Sequence, residues 1–148
     1  TICFIWENTP AATNFVSERN ENNKTDKIMA TINLTKGGFE RKIANLRTML
    51  TQWNFLGDKP AVIDFYASWC GPCQTLSPVL DELSEKYAGK IDIYKVNVDK
   101  EQELSSIFGI RSIPTLIFIP TQGAPQKTPG ALSRPQLIKI FDEYLLKK

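Results

Sequence analysis

The chain has 148 residues, is 42% hydrophobic, and carries a net charge of +2 from 18 basic and 16 acidic residues interspersed along it. That supports one domain with a hydrophobic core plus a tail; no run approaches the roughly 18 apolar residues of a membrane-spanning helix, and no basic stripe of the kind nucleic-acid binders carry is present. There is no histidine, which excludes Ser-His and Cys-His nucleophilic systems and every His-containing zinc site. The three cysteines, Cys3, Cys70 and Cys73, are too few for a disulfide scaffold or for a four-cysteine zinc site within one chain. Metal is left only through sharing between subunits, so neither a metal nor a bound cofactor is expected, and the pair Cys70 and Cys73 reads as working rather than structural.

Residues 1–27 read as an N-terminal extension: an apolar start, Ile2-Cys3-Phe4-Ile5-Trp6, then a polar linker from Ser17 to Lys27. The apolar start is open to two readings, the end of a signal-peptide or anchor segment, or an arm that packs on the domain or is simply mobile. Cys3 is open likewise, as a surface thiol or as a lipid-modified or intermolecularly bonded one. Residues 28–148 carry the globular pattern.

A strand is predicted over Met29 to Leu34, followed by a turn at Thr35-Lys36-Gly37-Gly38. Next comes a helix carrying Phe39, Ile43, Leu46, Met49 and Leu50 at spacings of three and four, with Trp53, Phe55 and Leu56 extending its apolar face. Gly57-Asp58-Lys59-Pro60 ends it. A strand over Ala61 to Ala67 leads into Trp69-Cys70-Gly71-Pro72-Cys73 and a helix to about Tyr87, kinked at Pro78. Then follow a strand from Ile91 to Val98, a short helix from Lys100 to Phe108, and a core strand from Thr115 to Ile119. Any strand between Pro120 and Pro129 should be short and at an edge, because that stretch holds three prolines. The last helix begins at the capping signature Ser133-Arg134-Pro135-Gln136. Strands alternating with helices mean an α/β sheet with helices on both faces.

Two thiols three residues apart at a strand-to-helix junction form a reversible dithiol/disulfide couple. The first N–H groups of a helix lack intrahelical partners, and the aligned peptide dipoles place roughly half a positive charge there, so a Cys70 thiolate is favoured. Cys70, at the turn, is expected exposed and nucleophilic; Cys73, one turn in, is expected shielded, and attacks Cys70 to resolve the mixed disulfide. Gly71 permits close approach of another backbone, and Pro72 is tolerated in a first helical turn. Trp69 suits a protein-docking edge. Asp64 interrupts an apolar strand, and two readings stand open: a surface position, or a buried carboxylate with a raised pKa acting as proton acceptor, partly balanced by Lys95.

Four ordered segments, Val62 to Cys73, Lys95-Val96-Asn97-Val98-Asp99, Gly109 to Thr115, and Gly130-Ala131-Leu132-Ser133, make residues 28–148 resemble the thioredoxin family. The resemblance implies a thioredoxin fold, a central mixed β-sheet flanked by helices on both faces. It further implies that Pro114 is a cis proline beside the cysteines, that Asp64 helps deprotonate Cys73, and that Lys95 is the companion of Asp64. A substrate groove of Trp69, Gly71, Pro72, Ile113, Pro114 and Gly130 follows, with the Ile113 backbone adding strand-like hydrogen bonds to an extended peptide. Tyr66 stands where the family often has Trp, the Phe39 to Pro60 region looks longer than in a minimal member, and Pro120 to Pro129 looks weaker than the usual hairpin strand. Together with the extension, these departures resemble a secreted or periplasmic bacterial thioredoxin of the kind found in Bacteroidetes, the alternative location being the cytoplasm.

The function expected is therefore reduction of protein disulfides by a monomer that is itself re-reduced by an electron-donor protein. The competing readings are an oxidase or isomerase of the same fold, and a non-enzymatic chaperone or interaction module.

Overall fold

A computed structural model describes residues 31–147. The expectations for residues 1–27, for Cys3 and for the first residues of the strand beginning at Met29 lie outside the described residues. The element order is β1 (Ile32–Asn33), α1 (Lys36–Lys42), β2 (Ala61–Tyr66), α2 (Gly71–Lys86), β3 (Asp92–Asn97), α3 (Gln102–Ile107), β4 (Thr115–Ile119), β5 (Gln126–Pro129) and α4 (Arg134–Ile140). The last helix widens into a π-helical turn at Phe141–Leu145.

The five strands form one mixed sheet in the order β1-β3-β2-β4-β5. β2 pairs in parallel with β3 and antiparallel with β4, which places it at the centre. Its position explains its composition: with a helical layer on each side, both of its faces are buried, so a continuous apolar run replaces the alternation of a half-exposed strand. On one face Ala61, Ile63 and Phe65 join a core with Phe39, Leu104 and Ile117, and Phe108 packs its ring 5.4 Å from Phe39 and 5.6 Å from Phe65. On the other, Val62 joins Leu76, Leu80 and Leu83 of α2 and Leu137 and Phe141 at the C-terminal helix. Each layer buries one stripe of its helices, which is what holds α2 at a fixed height against β2.

Two local expectations are corrected, the extent of the first helix and that of the first strand. The helix predicted from Phe39 to Leu50 stops at Lys42. Ile43 and Ala44 both direct their N–H groups to the Phe39 carbonyl, at 2.8 and 3.2 Å, and the Asn45 side chain accepts from Arg47 N–H at 2.9 Å. That side-chain bond offers the backbone an alternative to continuing the helix. The apolar spacing is still used, because Ile43 and Leu46 are buried and Met49, Trp53 and Phe55 pack on the same core, but Leu50 is 80% exposed.

α2 is one continuous helix from Gly71 to Lys86 through Pro78. Pro78 and Gln74, whose carbonyl would have been its partner, both lie on the exposed side, so the freed acceptor faces solvent. The strand predicted from Met29 is confined, among the described residues, to Ile32–Asn33. The Pro120 to Pro129 stretch does yield a short edge strand, and it is stronger than its prolines imply, since β5 matches β4 at four positions from Gln126 to Pro129.

Candidate active site

The strand-to-helix junction is built by Ala67 to Cys70 at the C-terminal end of β2. Cys70 has extended backbone angles and caps α2: its Sγ accepts the backbone N–H of Cys73 at 3.3 Å. A sulfur therefore sits where the orphan donors of the first turn converge and where the helix dipole favours negative charge. Cys70 and Cys73 are joined by a disulfide, with Cα atoms 5.3 Å apart.

The expected exposure of Cys70 is corrected. It is 5% exposed and Cys73 2%, because both pack with Ala67 against Tyr66, Val98 and Ile113. Accessible area in this oxidised state hardly distinguishes the two sulfurs; position does, Cys70 at the cap and Cys73 inside the first turn.

Ile113-Pro114 is a cis peptide bond. The Cys70 Sγ lies 3.8 Å from the Ile113 carbonyl oxygen, so this loop stands directly beside the disulfide. Gly130 closes the same corner. Its N–H donates to the Pro114 carbonyl at 2.8 Å, and its φ of 90° lies in the region that favours glycine. Trp69 is 69% exposed, and its indole N–H donates to Asp99 Oδ2 at 2.9 Å, which fixes the ring as one wall of a groove. The groove, about 380 Å³, runs between Trp69, Val98, Arg111 and Ile113. Gly71 and Pro72 are exposed in the first turn of α2. The structure thus gathers Trp69, Cys70, Ile113, Pro114 and Gly130 at one end of the sheet.

Asp64 is 1% exposed, which removes the surface reading. Side chains alternate along a strand, so Asp64 shares the face of Val62, the one covered by α2. Burial pushes its pKa up to about 7; the Lys95 charge pulls it down and the Asp81 charge adds to the rise. Among the described residues its Oδ1 has no hydrogen-bond partner. A buried carboxylate with an unused acceptor atom and a raised proton affinity is equipped to take a proton near neutral pH.

Lys95 stands directly opposite Asp64 in the parallel register of β2 and β3. Its ammonium nevertheless ends on α2, where it pairs with Asp81 Oδ1 at 3.2 Å and donates to the Ser77 hydroxyl. No residue reading pointed to Asp81, Ser77 or Asp99. The signal available for the first two was the α2 spacing, since positions 77 and 81 are four apart and occupy one helix face. Among the described residues no group of Cys, Asp and Glu side chains is arranged to hold a metal ion, and no helix is long and apolar enough to cross a membrane.

Comparison with known proteins adds four findings. The sequence profile of the family described as Thioredoxin matches residues 30–143. A thioredoxin of Borreliella burgdorferi is 45% identical over 113 residues, covering 76% of this chain and 96% of that protein. One from Chlorobaculum thiosulfatiphilum is 38% identical over 107 residues, covering 72% and 95%. The solved structure of chloroplastic thioredoxin z superposes with a TM-score of 0.61 at 25% identity, covering 76% of this chain and 92% of that one.

Proposed function

This chain belongs to the thioredoxin family and is a protein-disulfide reductase, and from that premise we propose how its residues divide the reaction. The observation that carries the proposal is the placement of Cys70 at the cap of α2 with the buried Asp64 carboxylate on the sheet face beneath that helix. In the dithiol form, the Cys70 thiolate attacks one sulfur of a substrate disulfide; a Cys70–substrate disulfide forms and the other substrate sulfur leaves as a thiolate. Asp64 accepts the Cys73 thiol proton. The Cys73 thiolate then attacks the Cys70 sulfur, the intramolecular disulfide forms, and the second substrate thiol is released, so two electrons pass from protein to substrate.

The substrate-binding residues in this proposal are Trp69, Gly71, Pro72, Ile113, Pro114 and Gly130. The open groove beside Trp69 supports it, since an extended peptide lying there meets the Ile113 backbone, and main-chain pairing of this kind is indifferent to side-chain sequence. Lys95 acts as the electrostatic companion of Asp64, across the sheet rather than by direct ion pairing. A donor protein returns the electrons, and the chain works as a monomer whose domain is residues 28–148. For its location we favour the periplasmic or secreted reading and the Bacteroidetes-type affinity over the cytoplasm, on the apolar start and polar linker of residues 1–27.

The test is the equilibrium potential of the pair against glutathione. A value near the roughly −270 mV of a reducing thioredoxin is expected; one near the roughly −120 mV of a strongly oxidising dithiol protein would overturn the direction of electron flow proposed. A Cys73→Ser variant, which blocks the second step, should accumulate mixed disulfides, and fractionating them from cells identifies both the compartment and the partners.

A further inference from the structure

Resting on the reading of Asp64 as proton acceptor, we propose that Asp81 and Ser77 are positioning residues that tether the Lys95 ammonium to α2 and so set the pH at which Asp64 holds its proton. Strand register alone would bring Lys95 to Asp64, since the two are direct cross-strand neighbours. The ammonium instead bonds to two side chains one helical turn apart on α2, Asp81 Oδ1 at 3.2 Å and Ser77 Oγ. Among the described residues it forms no ion pair with Asp64. The Lys95 side chain is 13% exposed and that of Asp81 32%, so the pair is partly shielded from solvent and its geometry matters more than that of an open surface bridge.

Asp81 acts on Asp64 by two routes of the same sign. Its own negative charge disfavours a second carboxylate nearby, and its hold on Lys95 keeps the nearest positive charge from closing on Asp64. Both leave Asp64 readier to accept the proton that Cys73 must lose. Asp81 is itself anchored, because the Thr31 hydroxyl donates to its Oδ1 at 3.1 Å. Beside Lys95 a cavity of about 250 Å³ opens between Asn33, Tyr66, Asn97 and Lys100.

The titratable groups lining this cavity are Tyr66 on β2, Lys95 on β3, and Lys100 and Glu101 before α3, while the charges that act on Asp64 are those of Lys95 and Asp81. Glu101 is engaged elsewhere, its carboxylate accepting the Lys36 backbone N–H at 3.0 Å. Asp81 is therefore the carboxylate that holds Lys95.

The experiment is a carbon-13 NMR titration of the Asp64 carboxyl in the oxidised protein, run for the native chain and for Asp81→Asn, Ser77→Ala and Asp81→Glu. The midpoint should fall by about one pH unit in Asp81→Asn, fall less in Ser77→Ala, and return in Asp81→Glu. A midpoint that stays in place or rises in Asp81→Asn overturns the tether. A merely structural Asp81 would lower thermal stability and leave the midpoint alone. In parallel, the pH profile of insulin disulfide reduction should shift with the NMR midpoint and lose its step in Asp64→Asn. A step that survives in Asp64→Asn overturns the proton-acceptor reading, while the NMR midpoint still decides the tether.

Discussion

The two faces of β2 are both buried but do different work. Toward α1 and α3 the strand presents Ala61, Ile63 and Phe65, an apolar row packed on Phe39, Leu104 and Phe108. Toward α2 it presents Val62, then Asp64, then Tyr66, so the same alternation turns from apolar to ionisable along the strand as it nears the cysteines. One face supplies packing to hold the strand, and the other uses that rigidity to keep a charged group where water cannot neutralise its effect. The contrast separates what mutations on each face should do.

The largest effect belongs to the thiols. Cys70→Ser should reduce insulin disulfide turnover to the uncatalysed background with the fold intact by circular dichroism; residual turnover would mean that Cys73 can act as nucleophile.

Next in size, Phe65→Ala on the apolar face should cost about 3 to 5 kcal/mol in denaturant unfolding, from lost transfer energy and the cavity left behind. The pH at which activity steps should stay where it was, and a moved step would break the division between the faces.

Asp64→Asn should do the opposite. Burial raises the folded-state pKa of Asp64 from its ordinary 3.8 to about 7. Between those values the folded protein holds a proton that the unfolded chain has released, so this group's contribution to stability is present below about pH 4 and lost as pH rises through 7. At pH 8 the amide should stabilise the fold by about 2 to 4 kcal/mol, and the gain should vanish near pH 4. A gain independent of pH would mean that the buried carboxylate is not its source. Turnover should fall at the same time, which marks a group retained for chemistry at a cost in stability.

The smallest effect is expected at the rim. Trp69→Phe removes the bond to Asp99 and trims the ring, but that ring is 69% exposed, so stability should change by no more than about 0.5 kcal/mol. KM for a protein substrate should rise severalfold while kcat changes little; an unchanged KM would remove Trp69 from the docking wall.

The order of elements and the site's cysteine pair were legible because each rests on a local pattern. The apolar run of Ala61 to Tyr66, the Cys-Gly-Pro-Cys spacing and the capping box at Ser133 each express their physics within a few residues. The end of α1 was not legible from periodicity. The apolar spacing continues past Lys42, and it took the Asn45 side chain, bonding the backbone of Arg47, to show that the chain turns there while keeping its apolar residues inward. The cover over Cys70 was equally hidden, since Ile113 and Val98 reach it from distant parts of the chain.

The sequence by itself determined the chemistry, a dithiol couple at a helix start, because thiol spacing and helix polarity are properties of adjacent residues. Only the tertiary structure decided where the surrounding charges go. Nothing in the chain order says that Lys95, opposite Asp64 in the sheet, will place its ammonium on Asp81 and Ser77 instead. That choice depends on the height at which Leu76, Leu80 and Leu83 seat α2 against β2, a matter of packing between segments far apart in sequence.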